Sequence, residues 1–157
     1  MSEINVYTDG SYMKKRKDIY CGYGIYFPNN EYKNISRKFT HEPITNNRAE
    51  LYAILKTIIL TNKINNKRKE DKVKKLNIYS DSEYSVKIFN EWLKNWKKNK
   101  KKYLNKDLVD EIDDHINNAN FKINLIHIYA HTGGKDEHSK YNDMADLLAK
   151  NGAFTNN

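Results

Sequence analysis

Three short β-rich runs stand back to back at the start of the chain, and from there strand and helix patterns alternate. Ile4 to Thr8 alternates apolar and polar and runs into Asp9-Gly10, the pattern of a strand entering a turn. Tyr20 to Phe27 and Tyr32 to Phe39 are two more β-rich runs, with turn chemistry at Pro28-Asn29-Asn30 between them. Thr45 can cap a helix reaching about Asn62, in which Leu51, Ile54, Leu55 and Ile58 form an apolar stripe. A charged loop over Lys63 to Lys75 precedes a strand at Leu76 to Ser80. Ser82 can cap the next helix, where Phe89, Trp92, Leu93 and Trp96 follow i, i+3, i+4, i+7 spacing. A helix over Asn105 to Asn118 and a strand over Phe121 to Tyr129 come next. After a polar loop over Gly133 to Lys140, a last helix runs from about Tyr141 to Lys150 and stops at Asn151-Gly152. Such an order predicts an α/β fold, a mixed sheet with helices on its faces.

Composition narrows the possibilities. At 157 residues the chain is expected to be one domain, residues 1–157, with one core. It has no apolar run of membrane-spanning length, and Met1-Ser2-Glu3-Ile4 lacks a signal-peptide pattern. Cys21 is the only cysteine, so no internal disulfide can form and an intracellular, reducing compartment is expected. The net charge of +8 favours a polyanionic partner. An AT-rich codon bias also produces chains rich in Lys, Asn and Ile, but it explains the number of lysines better than their place. Their place is informative: Lys97, Lys98, Lys100, Lys101 and Lys102 follow directly on Trp92 and Trp96.

Four acids occupy special positions. Asp9 ends the first strand, Glu50 lies about one turn into the first helix, Asp81 ends the fourth strand, and Asp146 lies about one turn into the last helix. Ligand sites form where strands end in α/β sheets, and strands one and four, if neighbours, would set Asp9 beside Asp81. Several carboxylates in one place are unfavourable unless a cation offsets them, and oxygen-only ligands suit Mg²⁺ or Mn²⁺ rather than zinc. Each acid taken alone reads as an ordinary surface or capping residue. Spacing does not join them; the local words around them do.

Those words are Tyr7-Thr8-Asp9-Gly10-Ser11, Thr45-Asn46-Asn47-Arg48-Ala49-Glu50-Leu51, Tyr79-Ser80-Asp81-Ser82 with Tyr84, and His131-Thr132-Gly133 followed by Asn142-Asp143-Met144-Ala145-Asp146. In kind and order they resemble type 1 ribonuclease H across nearly the whole chain. The resemblance implies a ribonuclease H-like fold, a five-stranded mixed β-sheet flanked by α-helices. It implies an endoribonuclease that hydrolyses the RNA strand of RNA–DNA hybrids with two Mg²⁺ ions (Mn²⁺ substituting), leaving 5′-phosphate and 3′-hydroxyl ends. The metal-binding carboxylates fall on Asp9, Glu50, Asp81 and Asp146, and a mobile histidine that assists proton transfer or product departure falls on His131. Asp143 falls on a position that is not a ligand, and His41, His115, His127 and His138 match no motif.

The same resemblance assigns the grip on the hybrid. Tyr84, Trp92 and Trp96 fall on the channel for the DNA strand, although the two tryptophans also fit a core stripe. Lys97, Lys98, Lys101 and Lys102 fall on a basic handle, with a merely solvated loop as the alternative. Asn46 and Asn47 fall on minor-groove residues, and Thr45 and Asn105 on a pocket for a DNA phosphate. Pro43 stands where the family usually has that pocket's arginine, so phosphate binding is expected to be weaker, or supplied by a nearby lysine or by Arg37. The loop between His131 and Asp146 is some five residues longer than is common. A handle of this kind favours self-sufficient action, as a monomer with no obligatory protein partner and no membrane. A binding module that does not cut, an accessory domain of a polymerase and a resolvase-type nuclease are the competing readings. Retention of all four carboxylates, the handle and Thr45-Asn46-Asn47-Arg48 respectively argue against them.

Overall fold

The computed structural model describes residues 3–130 and 136–155. Its strands are β1 (Glu3–Lys15), β2 (Asp18–Tyr26), β3 (Ile35–Lys38), β4 (Lys75–Ser80) and β5 (Lys122–His127). They form one sheet in the order β3-β2-β1-β4-β5, antiparallel among the first three and parallel from β1 through β4 to β5. The helices are α1 (Asn46–Lys67), α2 (Glu83–Lys87), α3 (Leu93–Lys98), α4 (Lys106–Asn118) and α5 (Glu137–Ala153), and one π turn, Ile88–Trp92, joins α2 to α3. The five-stranded mixed sheet with flanking helices is as expected. No described helix is long and apolar enough to cross a membrane.

The two faces of the sheet differ in chemistry. On one face Ile4, Val6, Leu76 and Ile78 pack with Leu51, Ile54 and Ile58 of α1 and Val109 and Ile112 of α4. Each such side chain, fully buried, contributes about 1.5–3 kcal/mol. That face therefore supplies most of the core. The other face is covered by α5 around a small aromatic cluster, Tyr7, Tyr26, Tyr79 and Tyr141 with Ile128 and Ala145, and can carry polar groups.

Several boundaries differ from expectation. β1 does not end in a turn at Asp9-Gly10: it pairs with β4 only as far as Thr8↔Ser80, then continues against β2 to Lys15↔Asp18. The turn falls instead at Arg16, whose φ is 57°. α1 runs five residues beyond Asn62, because Ile64 packs on the core and Asn65 is buried, its side chain exchanging bonds of 2.7 and 3.0 Å with the Val73 backbone. β3 is shorter than Tyr32 to Phe39, since Asn34 Oδ1 accepts from Phe27 N (2.8 Å) and holds the preceding residues in a loop. α5 begins four residues before Tyr141, where the Asp136 side chain accepts from Ser139 N (2.7 Å) as an N-cap. Asp146 consequently sits mid-helix, not one turn in.

Candidate active site

The sheet's register brings the acids together. β1 and β4 are parallel neighbours whose last rung is Thr8↔Ser80, so Asp9 and Asp81 leave that rung side by side. Asp9 is not at a strand end in its own strand; it stands where the sheet narrows from five strands to three. Gly10 lets α1 settle on this point. A Cβ there would lie 2.8 Å from Glu50 N and 2.9 Å from Glu50 Oε1, so a side chain would drive Glu50 away. The bare Gly10 N–H instead donates to Asp9 Oδ1 (2.9 Å) and to Glu50 Oε1. On the opposite side, Asp9 pairs in register with Gly24. A Cβ at Gly24 would lie 2.5 Å from Ala145 O and 2.6 Å from Ala149 N. Its absence lets α5 lie on the sheet and brings Asp146 near enough to Asp9 to raise its pKa, although Asp146 stands outside the three acids that converge.

Asp9, Glu50 and Asp81 each offer a carboxylate oxygen, and these lie within 4.8 Å of one another. Asp9 and Glu50 are each only 4% exposed. Burial first, and then the charge of Glu50, pushes the Asp9 carboxyl far above the usual carboxylate range. Burial likewise raises Glu50, with the Asp81 and Asp146 charges adding and bonds from Asp9 and Gly10 opposing. Glu50 Oε2 is buried without a hydrogen-bond partner among the described residues. Like charges this close repel by several kcal/mol in a partly desolvated site, so the cluster either shares protons or holds a cation. An all-oxygen donor set with one uncommitted buried oxygen fits a hard divalent cation such as Mg²⁺ or Mn²⁺.

Two neighbours of the cluster carried no role in the sequence reading. Asn142 is buried on α5, one turn before Asp146, and its Nδ2 donates to Asp81 Oδ2 (3.2 Å). Lys150, one turn after Asp146, lies 3.0 Å from its carboxylate. The i−4 and i+4 spacing to Asp146 was the available signal, but only a known helix register gives it meaning. His131 lies outside the described residues. His138 receives the Tyr7 hydroxyl (2.5 Å) and His41 packs on Tyr52, so both serve packing.

A model of the RNase H family matches residues 1–154. The chain belongs to the ribonuclease H family. It is 34% identical over 155 residues to a ribonuclease H of Schizosaccharomyces pombe, covering 94% of this chain and 52% of that protein. It is 36% identical over 138 residues to a probable ribonuclease H of Acanthamoeba polyphaga mimivirus, covering 84% and 58%. The chain thus spans about half the length of the curated relatives it matches. The fold is similar to the crystal structure of LC11-RNase H1 in complex with RNA/DNA hybrid, with a TM-score of 0.63 at 19% identity over 92% of each chain.

The residues that the ribonuclease H resemblance assigned to hybrid binding fall into two groups. Thr45, Asn46 and Asn47 are exposed at the start of α1, where Thr45 Oγ1 caps the helix by accepting from Arg48 N (3.1 Å). Asn105, in the left-handed region at φ 59°, donates to the Tyr84 hydroxyl (2.9 Å) and accepts from Arg48 Nη1 (3.4 Å). Arg48 is buried and grips Asp107 bidentately at 2.8 Å, holding that carboxyl down at about 2. An arginine thus does stand beside Thr45 and Asn105 despite Pro43, though it is committed to Asp107. Arg37 is on the edge strand β3, beside Lys56 and Lys63 of α1, and Lys38 lines a cleft with Glu42 and Ile44.

Tyr84, Trp92 and Trp96 form the second group, a half-buried aromatic row with ring centres 6.2 and 5.8 Å apart. The tryptophans pack on the core, as a core stripe would, and stay partly exposed. Lys98, Lys101 and Lys102 are exposed beyond them. Lys97 differs, since its ammonium is 2.6 Å from Asp113 and fastens α3 to α4.

Proposed function

We propose that this chain is an endoribonuclease that hydrolyses the RNA strand of RNA–DNA hybrids, with Asp9, Glu50, Asp81 and Asp146 holding two Mg²⁺ ions, for which Mn²⁺ can substitute. The observation that carries the reading is the convergence of three carboxylates within 4.8 Å on a buried Glu50 with a free oxygen, in a chain of the ribonuclease H family. Held by these carboxylates, the ions would supply activation of a water and neutralisation of charge at the phosphate, and the products would carry 5′-phosphate and 3′-hydroxyl ends. The chain's own residues do the rest. The Gly10 N–H holds the Asp9 and Glu50 carboxylates in place. Asn142 orients Asp81, leaving one of its oxygens fixed by a buried amide. Lys150 screens Asp146 before substrate and metal arrive. His131, by its place before Thr132-Gly133, moves a proton or eases product departure; an imidazole titrates near neutrality.

Asn46 and Asn47 contact the minor groove, where the 2′ hydroxyls distinguish RNA from DNA. Thr45 and Asn105 receive a DNA phosphate. Tyr84, Trp92 and Trp96 lie against deoxyribose rings, and Lys97, Lys98, Lys101 and Lys102 add counterion release. The chain acts as a single catalytic domain and a monomer, needs no obligatory protein partner, and works in a reducing intracellular compartment where the buried Cys21 remains a thiol. Labelled hybrid, double-stranded RNA, double-stranded DNA and single strands, each incubated with and without Mg²⁺, test this. Only the hybrid should be cut, on its RNA strand, and only with the metal. Cleavage without divalent ions, or equal cleavage of double-stranded DNA, would overturn it.

A further inference from the structure

A cavity of about 790 Å³ lies away from the carboxylates, between the end of α3 and α4. It has an aromatic floor and a basic wall. Tyr103 stacks on Trp96, with ring centres 5.3 Å apart and planes 20° apart, and so extends the Tyr84–Trp92–Trp96 row by one ring. Lys100, Lys101 and Lys102 line the wall, and none has an ion pair among the described residues. Asp110 and Asp114 also line the cavity. Lys106 places its ammonium 5.3 Å from the centre of the Tyr103 ring and pairs it with Asp110, which also accepts from the Tyr103 hydroxyl. A solvent-exposed side chain, held by one surface ion pair of small worth, therefore covers a π-face that another flat or cationic group can take.

A grip on duplex phosphates explains the lysines but not the floor. In a duplex the bases are stacked on each other, and their faces are closed to a protein ring. A single strand leaves those faces open, and basic grooves floored by aromatic rings are how single strands are held. We propose that this cavity binds single-stranded DNA continuing beyond the hybrid. One base stacks on Tyr103 in place of Lys106, its flanking phosphates rest on Lys100, Lys101 and Lys102, and the Asp114 carboxylate accepts from an exocyclic amino group. The inference rests on the reading above, in which the aromatic row carries the DNA strand, and DNA is chosen because Tyr103 continues that row.

Trp96, one of the chain's two tryptophans, lines the cavity, so tryptophan fluorescence reports on it. A deoxycytidine hexamer should quench it, and an abasic hexamer of equal length should not. Hybrids with a six-nucleotide DNA overhang should show a KM about five- to tenfold below blunt hybrids, an effect of stacking size. Tyr103→Leu should bring that ratio close to one, while Tyr103→Phe keeps it. Equal quenching by the abasic hexamer, or equal KM for blunt and overhanging hybrids in the wild type, would overturn the inference. Failure to cut any hybrid would instead sink the nuclease reading, and the hexamer titration would still decide this one.

Discussion

The carboxylate cluster and the lysine–aromatic handle are built in opposite ways. The cluster draws Asp9, Glu50 and Asp146 from three elements and Asp81 from the residue after β4, spread over the chain, and three of the four converge by strand register and glycine contact. Its charges are alike and close, with Asp9 and Glu50 buried and Asp81 and Asp146 partly so. The handle comes from one continuous stretch, Tyr84 to Asn105, whose charges are spread over solvent. A cluster of the first kind is all-or-nothing, because each member's state depends on the others. The second kind would be graded, since on the proposed function each lysine would act on its own phosphate.

The contrast is broken most directly at the cluster. Asp9→Asn or Asp81→Asn should abolish cleavage while hybrid binding survives, because the shape stays and a charge goes. Retention of more than about 10% of the rate in single-turnover assays would show that the carboxylates do not act as a unit, since bound metals supply several kcal/mol. His131→Ala should slow turnover by roughly ten- to a hundredfold without lowering the melting temperature, the usual range of acid–base assistance. A rate equal to wild type from pH 6 to 9 would place His131 outside the chemistry.

At the handle the effects should be smaller and additive. Changing Lys97, Lys98, Lys101 and Lys102 to alanine should flatten the salt dependence of hybrid binding, by about 0.7–0.9 in log–log slope per lost phosphate contact. Binding measured in Ca²⁺ over about 50–200 mM salt reads this. Lys97→Ala alone should change the slope least, because its charge is already answered by Asp113. If Lys97 dominates the slope, that ion pair opens on binding and the handle is cooperative after all.

The smallest expected effect is on stability, and its sign separates the two regions. The folded chain raises the pKa of Asp9 and Glu50 above the unfolded value of about 4. Such groups bind protons more tightly when folded, so their contribution to metal-free stability is fully present below that unfolded value. It is lost as pH rises through the raised folded values. Metal-free Asp9→Asn should therefore melt above wild type at pH 8, by a few degrees, given about 2–4 °C per kcal/mol for a domain this size. The difference should shrink at pH 5, and added Mg²⁺ should raise the wild type more than the variant. A lower melting temperature for the variant at pH 8 would mean that the cluster is not under repulsion.

What the sequence disclosed follows the same division. The handle, the helix caps at Thr45 and Ser82 and the alternating patterns are local, so neighbouring residues suffice to read them. The five-stranded mixed sheet was legible through its element order and through the resemblance. The acids' convergence depended on local words, because no spacing links residues 9 and 146. Asn142 and Lys150 escaped notice because their meaning depends on which way α5 faces. Asp9-Gly10 was misread as a turn because Asp-Gly usually is one, whereas here glycine makes room for Glu50. The early start of α5 was hidden by polar residues that a solvent-facing first turn tolerates. Lys97 looked like its neighbours until α4 placed Asp113 beside it.

The bare backbone at Gly24 has a consequence for anyone mapping this protein by genetics. An alanine there has to displace the α5 main chain, and Asp146 moves with it. A loss-of-function screen would thus return Gly24 beside the acids, as a position with no tolerated replacement and no chemistry of its own. Suppressors of such an allele should arise along α5 rather than at the carboxylates, since only a shift of the helix can restore the spacing.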